Sequence, residues 1–142
     1  FWGNDGGPTS LGLLPYVKLP TAAPALGNGA VEGGGSLPFV VNLPHDWQAG
    51  TMAKWNRLRA DGVGRRDVWE FALCLSHPIT GRLAGFAELW TGRERGAPAQ
   101  STADFGLTWA LADRWQLDAA VNLGLARAAA DAAFTCGLAT RF

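Results

Sequence analysis

The sequence predicts an all-β fold, an antiparallel up-and-down transmembrane β-barrel of about eight strands, from three observations. Apolar and polar residues alternate with a period of two over long stretches, as expected when successive strand residues point to opposite faces. Short and longer connections also alternate along the chain, which is typical of the turns and loops of outer-membrane barrels. Finally, tryptophans on the apolar face lie near strand ends, where interfacial aromatic residues are found.

The composition excludes several classes of protein. The 142 residues carry 12 Lys+Arg against 12 Asp+Glu, a formal net charge of 0, which gives no electrostatic surface for nucleic acid. Nothing approaches the run of apolar residues that a transmembrane helix needs, and no basic-then-apolar leader is present. The chain begins Phe1-Trp2 without Met. We therefore expect one outer-membrane β-barrel domain over residues 1–142, truncated at its N-terminus.

Eight strands follow from the alternation. Their expected ranges are 10–19, 31–43, 47–55, 68–76, 83–91, 102–111, 115–124 and 134–142. The sixth and seventh have the clearest pattern, whereas the second contains Pro38, which cannot donate to a β-ladder. Short connections are expected after the second, fourth and sixth strands, the fourth being followed by a turn from His77 to Arg82. Longer connections are expected after the others, including a loop from Leu58 to Asp67.

One face of the predicted strands carries the ionisable residues, and the opposite face carries almost none. The candidates for facing the lumen are Lys18, Glu32, Lys54, Glu70, Glu88, Asp104, Asp118 and Arg141. Such residues can line a water-filled channel, or they can pair into a plug that fills a narrow barrel. Both interpretations stay open on the sequence alone.

Aromatic residues on the other face predict the membrane interfaces. The candidates for this girdle are Trp47, Trp55, Trp69, Trp109 and Trp115, which fall at two levels of the predicted strands. Phe142 ends the last alternating strand and is the candidate signal for assembly into the outer membrane.

Catalytic and metal-binding patterns are lacking. The chain has no G-x-S-x-G motif, and His45 and His77 stand without Cys or carboxylate at ligand spacing. The glycine-rich stretch over residues 26–35 lacks the Lys-Ser/Thr of a phosphate-binding loop and leads into a strand. We therefore expect no catalytic residue, no metal site and no cofactor, and we expect that the protein is not an enzyme.

Several short motifs carry a family resemblance. They include Lys18-Leu19-Pro20-Thr21, Asp104-Phe105-Gly106-Leu107-Thr108 and Gln116-Leu117-Asp118. With these the chain resembles the family of outer-membrane transporters named for the MetA pathway of phenol degradation, over essentially its whole length. The resemblance implies a bacterial outer-membrane location and, in family members, further strands upstream of this sequence. It implies as partners the membrane lipid, the barrel assembly machinery and a small-molecule solute. No nucleic acid is expected as a partner, because the net charge is 0.

The expected function is that of a porin-like transporter or channel for small compounds, aromatic or hydrophobic compounds among them. One alternative is a structural or adhesive outer-membrane barrel with a plugged interior, which Phe86 and Trp90 on the charged face would favour. Another is a soluble, lipocalin-like binding barrel whose apolar face points inward. The alternation of residues is the same in all three.

Overall fold

The structure is one antiparallel β-sheet. A computed structural model describes residues 2, 7–23, 26–60 and 64–140, and these contain nine strands and no helix. The strands are β1 (Thr9–Leu11), β2 (Leu14–Lys18), β3 (Glu32–Asn42), β4 (Gln48–Ala60), β5 (Gly64–Thr80), β6 (Leu83–Glu94), β7 (Gln100–Ala112), β8 (Trp115–Gly124) and β9 (Ala132–Thr140). Over the same residues no helix has the length and hydropathy to cross a membrane.

The sheet is an open meander. Its order is β1-β3-β4-β5-β6-β7-β8-β9, with β2 also paired to β3, and every described pair is antiparallel. Among the described residues β9 pairs only with β8, so the sheet is not closed. The predicted all-β antiparallel class is thereby confirmed, in a form consistent with part of a barrel.

The first predicted strand is divided into two, which explains the ninth strand. Leu11 pairs with Phe39 and Leu14 with Ser36, so β1 and β2 keep one register on either side of the break. At the break the N–H of Gly12 donates to the carbonyl of Pro38 at 2.9 Å. Because Pro38 has no N–H to return, the ladder loses one hydrogen bond there.

Strands β4 and β5 extend well beyond their predicted ends. The predicted loop from Leu58 to Asp67 is wrong, because the ladder continues through Leu58↔Arg66 to Ala60↔Gly64. The 17-residue β5 also runs on to Thr80, which leaves only Gly81 and Arg82 in the turn that was predicted to begin at His77. Towards Ala60 and Gly64 the pairs Arg57↔Asp67 and Arg59↔Arg65 occupy the face that is apolar elsewhere, so the alternation used to find the strands fades there.

The sheet has almost no hydrophobic core of its own. The buried apolar residues of the described chain are Ala30, Ala72 and Ala103, and no large side chain there is fully buried. Packing instead occurs across the sheet surface, where the Phe86 ring lies over Gly106 on the neighbouring strand. Large apolar side chains of the described sheet, Leu73, Leu89 and Phe105 among them, are therefore left about half exposed.

Candidate functional site: the two faces of the sheet

The register sorts the strand residues onto two different faces. We call one the apolar face; at its centre lie Leu73 of β5, Leu89 of β6 and Phe105 of β7. These side chains are 43%, 53% and 49% exposed. The polar face includes Glu70, Glu88 and Asp104, which lie on the other side of the same strands. The larger apolar side chains are thus on the more exposed side.

Two aromatic contacts mark the apolar face at separate levels. The rings of Trp55 and Trp69, directly opposed on β4 and β5, have centroids 6.4 Å apart. The rings of Trp47 and His77 lie 4.6 Å apart at the other end of the same two strands. Eight positions separate Trp47 from Trp55, or about 26 Å of extended strand. This spacing is close to the roughly 25 Å apolar band of an outer-membrane barrel.

Charged residues lie on the apolar face beyond the level of Trp55 and Trp69. Arg57 and Asp67 form an ion pair of 2.8 Å, and the indole N–H of Trp55 donates to Asp67 at 3.1 Å. Between the two levels β4 carries Ala49, Thr51 and Ala53, and β5 carries Phe71, Leu73 and Leu75. The band between the aromatic contacts is therefore free of charge on these strands.

The remaining girdle candidates lie at strand ends. Trp109 is near the end of β7 and Trp115 begins β8, on either side of the turn at Asp113 and Arg114. The indole side chains are 51% and 47% exposed. Their positions are those expected of an interface, and their role in a membrane stays a prediction.

The predicted lumen residues fall into three groups. Lys18 pairs with Glu32 at 2.8 Å, and Lys54 pairs with Glu70 at 3.1 Å. Glu88, Asp104 and Asp118 take part in no ion pair among the described residues. Arg141 and the predicted assembly residue Phe142 lie outside the described residues.

Asn56 connects several of these polar side chains. It is only 3% exposed, and its side-chain oxygen accepts a 2.5 Å hydrogen bond from the Tyr16 hydroxyl. Its amide donates to Glu70 at 3.4 Å, and Glu70 in turn pairs with Lys54. The polar face is thus tied together across β2, β4 and β5 by hydrogen bonds and charge.

Glu32 is the centre of a second cluster, three rows beyond Trp55 and outside the apolar band. Its carboxylate, 7% exposed, accepts hydrogen bonds from the Lys18 ammonium, the Arg59 backbone N–H and the Asn28 amide. These donors lower the pKa of Glu32 from 4.5 to about 2, with Lys18 contributing most. The cluster fastens the segment before β3 to β2 and β4.

Glu88 and Asp104 form an acidic pair, directly opposed on β6 and β7. Directly opposed residues have Cβ atoms about 5 Å apart. Negative charges on two residues so placed repel each other. Asp118 is separate from this pair, because it opposes Thr108 and its carboxylate lies over Gly137. Among the residues that the structure describes, carboxylates outnumber cationic side chains on the polar face.

Sequence reasoning missed a third ion pair on this face. Arg66 and Glu94 lie 2.8 Å apart, at strand positions that the predicted β5 and β6 did not reach. Once the strands are extended to their observed ends, counting by twos from Glu70 gives Arg66 and from Glu88 gives Glu94, so both fall on the polar face. The pair borders a cavity of about 340 Å³ that Trp90, Glu70 and Pro98 also line. An aromatic surface and charged groups thus meet at one end of the polar face.

The described residues offer no group of three or more His, Cys, Asp or Glu side chains that could hold a metal ion. Cys74 lies on the polar face and Cys136 on the apolar face, and both are free thiols. The chemistry of the site is thus that of a charged, hydrogen-bonded surface.

Comparison with known proteins identifies the family. No curated protein and no solved structure matches the chain. The model of the family described as "Putative MetA-pathway of phenol degradation" matches residues 1–142. Since the match spans the chain from end to end, this protein belongs to that family.

Proposed function

We propose that this chain forms the wall of a β-barrel in a bacterial outer membrane and that the barrel passes small solutes. One observation carries the proposal: the sheet has an exposed apolar face, limited by aromatic residues at two levels, and a charged face behind it. In a membrane barrel the first would contact lipid and the second would line the route of the solute. The antiparallel ladders satisfy the backbone polar groups that hydrocarbon cannot.

The lack of a core favours lipid over water as the neighbour of the apolar face. In a soluble barrel with that face inward, Leu73, Leu89 and Phe105 would be the most buried side chains. Here they are about half exposed, while Asn56 and Asp104 on the other face are 3% and 9% exposed. Acyl chains would cover an apolar surface that is too large to remain in water.

Transport would be passive. Along the charged face, polar side chains and water would replace the hydration shell of the solute. The cavity beside Trp90 offers an aromatic surface with ionic groups at its rim. Together with the family's association with phenol degradation, this feature favours small aromatic compounds among the solutes. A flat indole stacks well on aromatic rings.

A plugged barrel of structural or adhesive role is the second candidate. Phe86 and Trp90 both project from the polar face of β6, and ion pairs occupy the same face. Small barrels can be filled by such side chains. In that case the barrel would insert into membranes without conducting solutes.

Liposome swelling separates these functions. The 142-residue chain in liposomes should give swelling with a neutral sugar that exceeds that of protein-free liposomes. Inserted, β-rich protein without swelling would favour the plugged barrel, and Trp90→Ala and Phe86→Ala should then open it. Recovery of folded protein in the aqueous phase without detergent would refute the membrane location itself.

A further inference from the structure

We propose that Glu88 and Asp104 form a binding site for a hard metal cation of the Ca²⁺ class on the polar face. The inference goes beyond solute passage, because the site depends on the geometry of β6 and β7 and holds whether or not the barrel conducts. It assigns a ligand to the one pair of directly opposed carboxylates in the described sheet.

The environment of Asp104 points to a missing positive partner. The residue is 9% exposed, and its Oδ1 is buried without a hydrogen-bond partner. Its Oδ2 accepts a hydrogen bond from the Thr102 hydroxyl at 3.3 Å. A buried, unsatisfied carboxylate oxygen on a residue directly opposite a second carboxylate is unfavourable unless a cation or proton joins them.

Side-chain cations of the described polar face are engaged elsewhere. Lys18, Lys54 and Arg66 pair with Glu32, Glu70 and Glu94, so three cationic side chains stand against six carboxylates when Glu88, Asp104 and Asp118 are included. Across the sheet, the residues on either side of the acidic pair are neither Lys nor Arg. Cys74 lies opposite Glu88 on β5, and Asn122 lies opposite Asp104 on β8. No protein charge in these strands neutralises the pair.

The available donors decide the class of ion. Two carboxylates, the Thr102 hydroxyl and the Asn122 side chain offer mainly oxygen atoms, which hard cations prefer. Cys74 is the only soft donor of this row within the described strands. Water can complete the coordination on the open side of the face, as it does in many Ca²⁺ sites.

Terbium luminescence tests the site directly. Tb³⁺ substitutes for Ca²⁺ and emits when a nearby indole is excited, and Trp90 lies two positions from Glu88 on the same face. We expect saturable Tb³⁺ emission from the full chain in detergent micelles, reversed by Ca²⁺. Titration calorimetry with Ca²⁺ gives a second readout that does not depend on tryptophan.

Three variants make the test specific. Asp104→Asn and Glu88→Gln should each weaken Ca²⁺ affinity by at least ~10-fold, because affinity follows the number of charged ligands. Asp113→Asn removes a carboxylate from an exposed turn and should change the affinity less than ~2-fold. Circular dichroism and heat-modified gel mobility confirm that each variant is folded.

The result that overturns the proposal is equally concrete. It fails if the wild-type chain shows no saturable Ca²⁺ binding, if the two site variants bind as the wild type does, or if Asp113→Asn weakens binding equally. If the liposome assay detects no solute flux, the proposed transport function is refuted, but the Ca²⁺-binding result is unaffected.

Discussion

Replacing either of two neighbouring residues of β5 with Arg should change the stability of the protein by very different amounts. Leu73 lies on the apolar face of β5, midway between Trp69 and His77, and Cys74 lies on the polar face opposite Glu88. Leu73→Arg should destabilise the protein in lipid vesicles by ~2–4 kcal/mol, because it places a guanidinium in hydrocarbon. Urea unfolding in vesicles measures this free energy.

Cys74→Arg is the matched control for that experiment. Its guanidinium would face the acidic pair, so the cost should stay below ~1 kcal/mol. Equal destabilisation by the two variants would contradict the assignment of faces.

The Glu32 cluster predicts a particular dependence of stability on pH. Because folding lowers the pKa of Glu32 from 4.5 to about 2, its ionised form stabilises the folded state fully above pH 4.5. This contribution is lost progressively as the pH falls from 4.5 to about 2. The melting temperature of the wild type should exceed that of Glu32→Gln at pH 7, and the difference should shrink only below pH 4.5. A difference that shrinks between pH 7 and 5 would assign the effect to another group.

At the scale of the strand, glycine makes room for aromatic rings. A Cβ at Gly106 would collide with the Phe86 ring and approach the Ala119 carbonyl oxygen at 2.7 Å. Gly106→Ala should therefore cost ~1–3 kcal/mol by overpacking. Gly50→Ala is the control on the same face, because its new Cβ would meet no atom closer than 3.9 Å. Unfolding free energies of the two variants, with Phe86→Ala added to complete a double-mutant cycle, check the assignment.

The sequence predicted the strands best where one side of the sheet is apolar. In β7 and β8 the alternation, as in Phe105, Leu107 and Trp109 of β7, located the strands and predicted the face on which each residue lies. It failed near Arg57 and Asp67, where charged residues occupy the face that is apolar elsewhere, although the ladder continues. Strand ends outside an apolar band are invisible to a method based on hydropathy.

Pairings across the sheet were harder to predict than faces. Alternation placed Glu88 and Asp104 on one side, but only the register makes them direct neighbours and separates both from Asp118. The break between β1 and β2 likewise depends on Gly12 lying opposite Pro38. Register follows from turn geometry and strand length together, which local patterns do not contain.

For the whole molecule, the proposed orientation predicts which tryptophans contact lipid. Trp69 is 62% exposed on the apolar face, whereas Trp90 projects from the polar face. In vesicles of brominated phospholipid, Trp69→Phe should lower the quenched fraction of the tryptophan emission. Trp90→Phe should raise that fraction, because it removes a fluorophore remote from the acyl chains. The reverse pattern would place the charged side of the sheet toward lipid.

The meander order has a consequence for how such a protein can change in size. Each ladder from β3 to β9 joins strands that are consecutive in the chain, so a hairpin such as β7 with β8 is a self-contained unit of the sheet. Duplicating that hairpin would add two strands and leave the register of every existing strand pair unchanged. The diameter of the proposed barrel could therefore increase by whole hairpins, with the existing strand pairings unchanged.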